Sequence, residues 1–145
     1  MKYQVIKTYG NETGHSCAFR QWRADSHCNL IHGYALGFEI TFEAEELDDR
    51  NWVIDFGDLG VLKKWLKEMF DHTTVVAFDD PNLELFEDLN SKNLIDLRLL
   101  ENVGCEAFAE AVYLFCKMEF EDDRVKVKSV RVFEHGANSA VFGNF

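Results

Sequence analysis

From Tyr34 to Ala44 the chain alternates: Leu36, Phe38, Ile40, Phe42 and Ala44 are separated by Gly37, Glu39, Thr41 and Glu43. Side chains of an extended segment repeat every second residue, so this reads as a strand with one buried and one partly polar face. Lys2 to Tyr9 is rich in β-branched and aromatic residues and predicts another strand, interrupted by the turn signal Gly10-Asn11-Glu12-Thr13-Gly14. A further extended piece is expected from His15 to Trp22, followed by a polar, irregular stretch from Arg23 to Ile31.

Beyond the acidic turn Glu45 to Arg50 the spacing becomes helical. Asn51 to Gly57 leads into a helix with Asp58 as its expected N-cap and Leu59, Leu62, Leu66 and Met69 on one stripe. Asp71-His72 falls where the chain leaves that helix. Asp79-Asp80-Pro81-Asn82 is a loop, Leu83 to Leu89 a short helix, and Leu94 to Leu100 an extended segment. A second long helix is predicted from Gly104 to Glu119, with Phe108, Ala111, Val112 and Phe115 inward. Val125 to Glu134 and Asn138 to Phe142 read as the last strands, and a shift of apolar parity predicts a bulge near Ser129. The order strand, strand, helix, helix, strand, strand predicts one α+β domain over residues 1–145, an antiparallel four-stranded sheet with two helices on one face. An apolar uncovered face would need another subunit.

The content of 47% hydrophobic residues with 13 Phe argues for a packed interior. A net charge of -11 opposes phosphate-backbone binding, so nucleic acid is not an expected partner. A small anionic ligand would need Lys2, Arg20 or Arg23 to offset that field. No apolar run is long enough to span a membrane, no leader is expected, and the four cysteines show no CxxC pair. Reduced thiols and a cytoplasmic location are the expectation.

Reactive side chains concentrate in His27-Cys28-Asn29-Leu30-Ile31-His32-Gly33-Tyr34, at the mouth of the alternating strand. Cys28 beside His27 is a candidate thiolate base or nucleophile, though a cysteine's ordinary role is a small buried hydrophobe. His32 is a candidate zinc ligand with His15, His27, Tyr34 and Cys17 as nearby donors, or else a hydrogen-bonded structural histidine. Asp71-His72 can form a proton relay, or His72 can complement a helix dipole. Glu134 shares parity with the apolar Val130 and Val132; it can hold a ligand with adjacent N–H donors or pair with Arg131.

Together these segments resemble the 6-pyruvoyl- and 6-carboxy-tetrahydropterin synthases of the T-fold. Cys28 to Tyr34 is similar to that family's cysteine followed by His-Gly-His, Trp52 to Leu59 to its hydrophobic-Asp-Phe segment, and Phe70-Asp71-His72 to its Asp-His pair. Asn102-Val103-Gly104-Cys105-Glu106 resembles the Asn-Pro-Thr-x-Glu start of its second helix, and Val130 to Glu134 its strand ending in a glutamate. The resemblance implies a carbon-carbon or carbon-oxygen lyase acting on 7,8-dihydroneopterin triphosphate, of the 6-carboxy type used in deazapurine (queuosine-type) biosynthesis, or one in pterin biosynthesis. Cys28, Asp71 and His72 would be catalytic, and Glu134, with Glu106 from a neighbouring chain, would hold the pterin. Zinc is implied on His32 with His15 or His27 substituting, since the other ligand positions are Phe19 and Tyr34. Trimers or hexamers are implied as the assembly. The alternative is a paralogue that binds a pterin or purine without zinc or synthase activity; an oligomeric α+β scaffold is the non-enzymatic reading.

Overall fold

A computed structural model describes every residue from Met1 to Phe145. The alternating segment becomes the 13-residue strand β3 (His32–Ala44), and the sheet is built on it. β1 (Tyr3–Tyr9) pairs antiparallel with its second half, Phe38 to Ala44, and β2 (His15–Phe19) with its first, His32 to Leu36. Tyr9 lies opposite Phe38 and His15 opposite Leu36, so the Gly10–Gly14 turn is extruded as one wide insertion. Gly37 leaves room for it, since a Cβ there would come within 3.1 Å of the Asn11 nitrogen.

Gly60–Phe70 forms α1, Leu83–Ser91 α2 and Cys105–Phe120 α3. Thr73–Ala77 is strand β4, Leu97–Leu100 β5, Lys126–His135 β6 and Asn138–Gly143 β7. The sheet has seven strands in the order β5-β4-β2-β3-β6-β7, with β1 beside β3. The expected α+β class stands, but the four-stranded antiparallel count does not. β1, β3, β6 and β7 supply those four strands; β4 runs parallel to β2, and β5 parallel to β4. The overlooked strand is Thr73-Thr74-Val75-Val76-Ala77, buried throughout. A strand covered on both faces carries no alternation, so it gives no period-two signal.

Leu36, Phe38, Ile40 and Phe42 are fully buried and share one cluster with Leu62, Leu66 and Phe70 of α1 and Phe108, Val112 and Cys116 of α3. On α3 the buried positions include Ala109 and Tyr113, whereas Ala111 and Phe115 are only half-buried. The bulge expected near Ser129 is present: Thr41 faces Ser129 and Phe42 faces Val127, leaving Lys128 extra. Asp55, not Asp58, caps the turn before α1, accepting from the Gly57 N–H at 2.7 Å. No helix is long and apolar enough to cross a membrane.

Candidate active site

Cys28 lies in a single 3-10 turn, His27–Asn29, whose N-cap Ser26 accepts from the Cys28 N–H at 3.3 Å. The turn is tied to the end of β2 by the Gln21 N–H donating to the Cys28 carbonyl at 2.9 Å. Gln21 in turn donates through Nε2 to the Val103 carbonyl at 2.7 Å, which brings the start of α3 alongside. Gly104, at φ +109°, makes that turn possible: its backbone is left-handed, and a Cβ would collide with Gln21 Nε2. The Val103-Gly104 departure from the resembled motif thus has a local reason.

Glu134 is the extra residue of a second bulge, because Phe133 faces Ser139 and His135 already faces Asn138. Bulges re-aim side chains, and here two consecutive residues reach the same place. The His135 ring lies 6.0 Å from that of Tyr34, and the Glu134 carboxylate acts on both Tyr34 and Cys105. Asn11 in the extruded turn fixes the strand ends, donating to the carbonyl of Ala35 at 2.6 Å and reaching those of Phe133 and Glu134. Arg131 is turned elsewhere, bonded to Ser139 and stacked 4.8 Å from Phe133, so it is not the partner of Glu134.

Burial, with Glu134 and Glu106 adding their charge, pushes the Cys105 thiol up to about 12. Glu106 follows Cys105 directly in the first turn of α3. Burial raises the Tyr34 phenol as well, reinforced by Glu134, Cys28 and Cys105. Cys28, Tyr34, Cys105, Glu106 and Glu134 thus surround the N-terminus of α3. Neither Gln21, Asn11 nor Cys105 carries a sequence signal beyond the turn and helix-start patterns that contain them.

Asp71 and His72 follow α1 and bond to β2. Asp71 accepts from His72 Nδ1 at 2.8 Å and from the Ser16 N–H at 3.2 Å; the His72 N–H donates to the Ser16 carbonyl at 2.6 Å. The relay geometry exists, but it sits at Ser16, three residues along β2 from Phe19, with its imidazole 84% exposed. Burial opposes ionisation of Asp71, but the His72 and Ser16 hydrogen bonds outweigh it and leave its carboxyl below the usual range. The charges that act on it are His72 and His15, not the groups around Cys28.

The three positions at which zinc ligands were implied do converge. Phe19 faces His32 across β2 and β3 and Cys17 faces Tyr34; the Phe19, His32 and Tyr34 rings lie 5.2, 6.0 and 5.5 Å from one another. His32 Nδ1 bonds the Leu30 carbonyl at 2.7 Å, which leaves Nε2 as the free nitrogen. His15 faces Leu36, four residues from Phe19 and roughly 13 Å along an extended strand. There it is buried against Phe38 with Nδ1 unpartnered. His27 is exposed on its turn. No three His, Cys, Asp or Glu side chains come together in a way that could hold a metal, so the residues present do not fit zinc.

The expected anion-binding cations are engaged too. Arg20 forks onto Asp80 at 2.9 and 3.3 Å, Arg23 pairs with Asp79 at 2.7 Å, and Lys2 with Glu43 at 3.0 Å. All four cysteines are free.

A model of the 6-pyruvoyl tetrahydropterin synthase family matches residues 10–144. The chain belongs to that family. Among curated proteins it is 25% identical to a 6-carboxy-5,6,7,8-tetrahydropterin synthase of Aquifex aeolicus over a 160-residue alignment covering 98% of each. It is 30% identical to one of Rickettsia bellii over 113 residues, 74% of this chain and 78% of the relative. Among solved structures, an uncharacterised protein of Wolinella succinogenes superposes with a TM-score of 0.86 at 20% identity, over 100% of this chain and 99% of the other. The 6-pyruvoyl tetrahydropterin synthase of Plasmodium falciparum gives 0.65 at 13% identity, over 99% and 98%. The fold of this tetrahydropterin synthase family member is the mixed T-fold of those neighbours.

Proposed function

We propose that the chain is a lyase-type enzyme that binds a dihydropterin, 7,8-dihydroneopterin triphosphate or a close relative, in pterin or deazapurine (queuosine-type) biosynthesis. The observation that carries this reading is the assembly of Cys28, Tyr34 and Glu134 around the N-terminus of α3 from three distant stretches of sequence. A Glu134 carboxylate free of Arg131 can accept two parallel N–H bonds from an aminopyrimidine edge. Cys28 is the half-exposed thiol of the set and takes a proton from the substrate side chain. Asp71 fixes the His72 ring and leaves its other nitrogen facing solvent, where it can serve the site of a second chain. A trimer or hexamer in the cytoplasm is the assembly proposed.

A second reading is favoured by two observations, the lack of a metal-holding set and the pairing of Lys2, Arg20 and Arg23. In it the protein binds a pterin or purine ring without the synthase reaction. Calorimetric titration with a dihydropterin, together with turnover of 7,8-dihydroneopterin triphosphate, tests both. Binding that weakens at least tenfold in Glu134→Ala and turnover that vanishes in Cys28→Ala are expected. Binding without turnover leaves the second reading; no binding at all removes both.

A further inference from the structure

We infer that the outward face of α3 is a two-fold interface, on which α3 of a second copy of this chain packs antiparallel. The inference is independent of the dihydropterin reading. α3 buries Phe108, Ala109, Val112 and Cys116 in its own chain's core. Ala107, Ala111, Leu114 and Met118 lie about half a turn round from these, where a surface helix ordinarily carries charge. Leu114 is 53% exposed and Met118 83%. With inner and outer faces both apolar, α3 has the pattern of a helix covered on two sides.

The shape of that face selects its occupant. Its four residues recur at intervals of four, three and four, the a/d spacing of a coiled-coil seam. The seam is small at its N-terminal end, with two alanines, and large at its C-terminal end, with Leu114 and Met118. Beside the alanines, against residues 100–102, runs a groove of about 200 Å³. Turned about a two-fold axis between Ala111 and Leu114, the seam complements itself. The partner's Met118 falls on Ala107 and the partner's Leu114 on Ala111, so large side chains enter the groove that small ones floor. Such a self-complementary contact closes as a pair. A parallel pair would set alanine on alanine, leave the groove unfilled and align the two helix dipoles unfavourably.

Charge selects the same arrangement. At a net charge of -11 two copies repel at long range, so a contact between them needs opposite charges held locally. Glu110 and Lys117 flank the seam on one side, seven residues apart and both exposed. Neither belongs to an ion pair of its own chain. In the antiparallel register Glu110 stands beside the partner's Lys117, and the two-fold repeats the pair. Glu101, on the groove's other wall, adds to the acidic end that the lysine meets. On the seam's far side Phe115, stacked 4.2 Å from Trp65, brings no opposing charge.

The experiment is sedimentation of the full chain, the Lys117→Glu variant and the charge swap Glu110→Lys/Lys117→Glu, at one protein concentration and physiological salt. Lys117→Glu sets acid against acid twice and is expected to weaken the α3 contact about 10²-fold, halving the mass of the parental assembly with the circular dichroism unchanged. The swap carries the same change at Lys117 and keeps the parental net charge, yet it rebuilds both pairs and is expected to recover part of the lost association. A parent and a Lys117→Glu variant of equal mass overturn the inference, and so does a swap that associates no better than Lys117→Glu. A monomeric parent also overturns it and leaves the face to a different protein. None of these outcomes bears on dihydropterin binding or turnover, which are measured separately.

Discussion

Phe19 on β2 and His32 on β3 face each other across an antiparallel pair, their ring centroids 5.2 Å apart. A ring with no lone pair stands where a second imidazole would complete a ligand pair. If backbone geometry for a metal is retained and only the donors are gone, Phe19→His with Tyr34→His should create a three-histidine set with His32. The double variant is expected to bind close to one zinc per chain by elemental analysis after gel filtration, and the parent far less. A folded double variant with no zinc would show that the strands no longer hold ligand geometry.

The four thiols should separate by reactivity. Burial pushes Cys17 and Cys116 up to about 12, and burial with Glu134 and Glu106 does the same for Cys105, so all three stay protonated at neutral pH. Cys28 is half-exposed. Alkylation of the native protein at pH 8 is expected to show one fast equivalent, lost in Cys28→Ala, and three slow ones. Two or more fast equivalents in the parent contradict that burial.

His15 makes stability fall on acidification. Burial lowers its folded pKa, and the Asp71 carboxylate offsets this only in part. A depressed folded pKa means the unfolded chain takes up the proton first, so stability is full above about 6.5 and is lost as pH falls below it. His15→Phe, which keeps a ring against Phe38, should flatten the slope of unfolding free energy between pH 7 and 5. Equal slopes in urea titrations of the two proteins would rule His15 out as the source.

Arg20 and Arg23 carry the same charge and should behave differently. The Asp80 side chain is 1% exposed and its partner Arg20 is 15% exposed, so Arg20→Ala strands a buried carboxylate and costs about 3–5 kcal/mol. Arg23 and Asp79 are 72% and 51% exposed, and Arg23→Ala should cost under about 1 kcal/mol. Comparable losses in denaturant unfolding would mean the burial difference does not govern these pairs.

Placement of the exposed His72 at Ser16, where its ring can reach a neighbouring subunit, predicts complementation between chains. Cys28→Ala and His72→Ala are each expected to be inactive, and their co-assembled mixture to regain part of the parental turnover. No regain in verified mixed oligomers would confine the reaction to groups of one chain.

Much of this protein was written locally. Alternation at Leu36 to Ala44 determined β3 and its buried face, helical spacing determined α1, and the parity break determined the bulge at Lys128, because each pattern reflects a neighbour within a few residues. The order of motifs along the chain was sufficient to indicate the family. Thr73 to Ala77 escaped notice because burial on both faces erases periodicity, and its parallel pairing with Cys17 and Ala18 is set by contacts across more than fifty residues. Whether Arg20 is a free cation or the partner of Asp80 is likewise invisible in a linear sequence. Only the tertiary structure decided that Glu134 and His135 both reach Tyr34, since a bulge overrides the alternation that the strand pattern assumes. It alone placed Asp71 and His72 against Ser16, because which backbone a side chain meets depends on which strands pair and not on how the motifs are ordered.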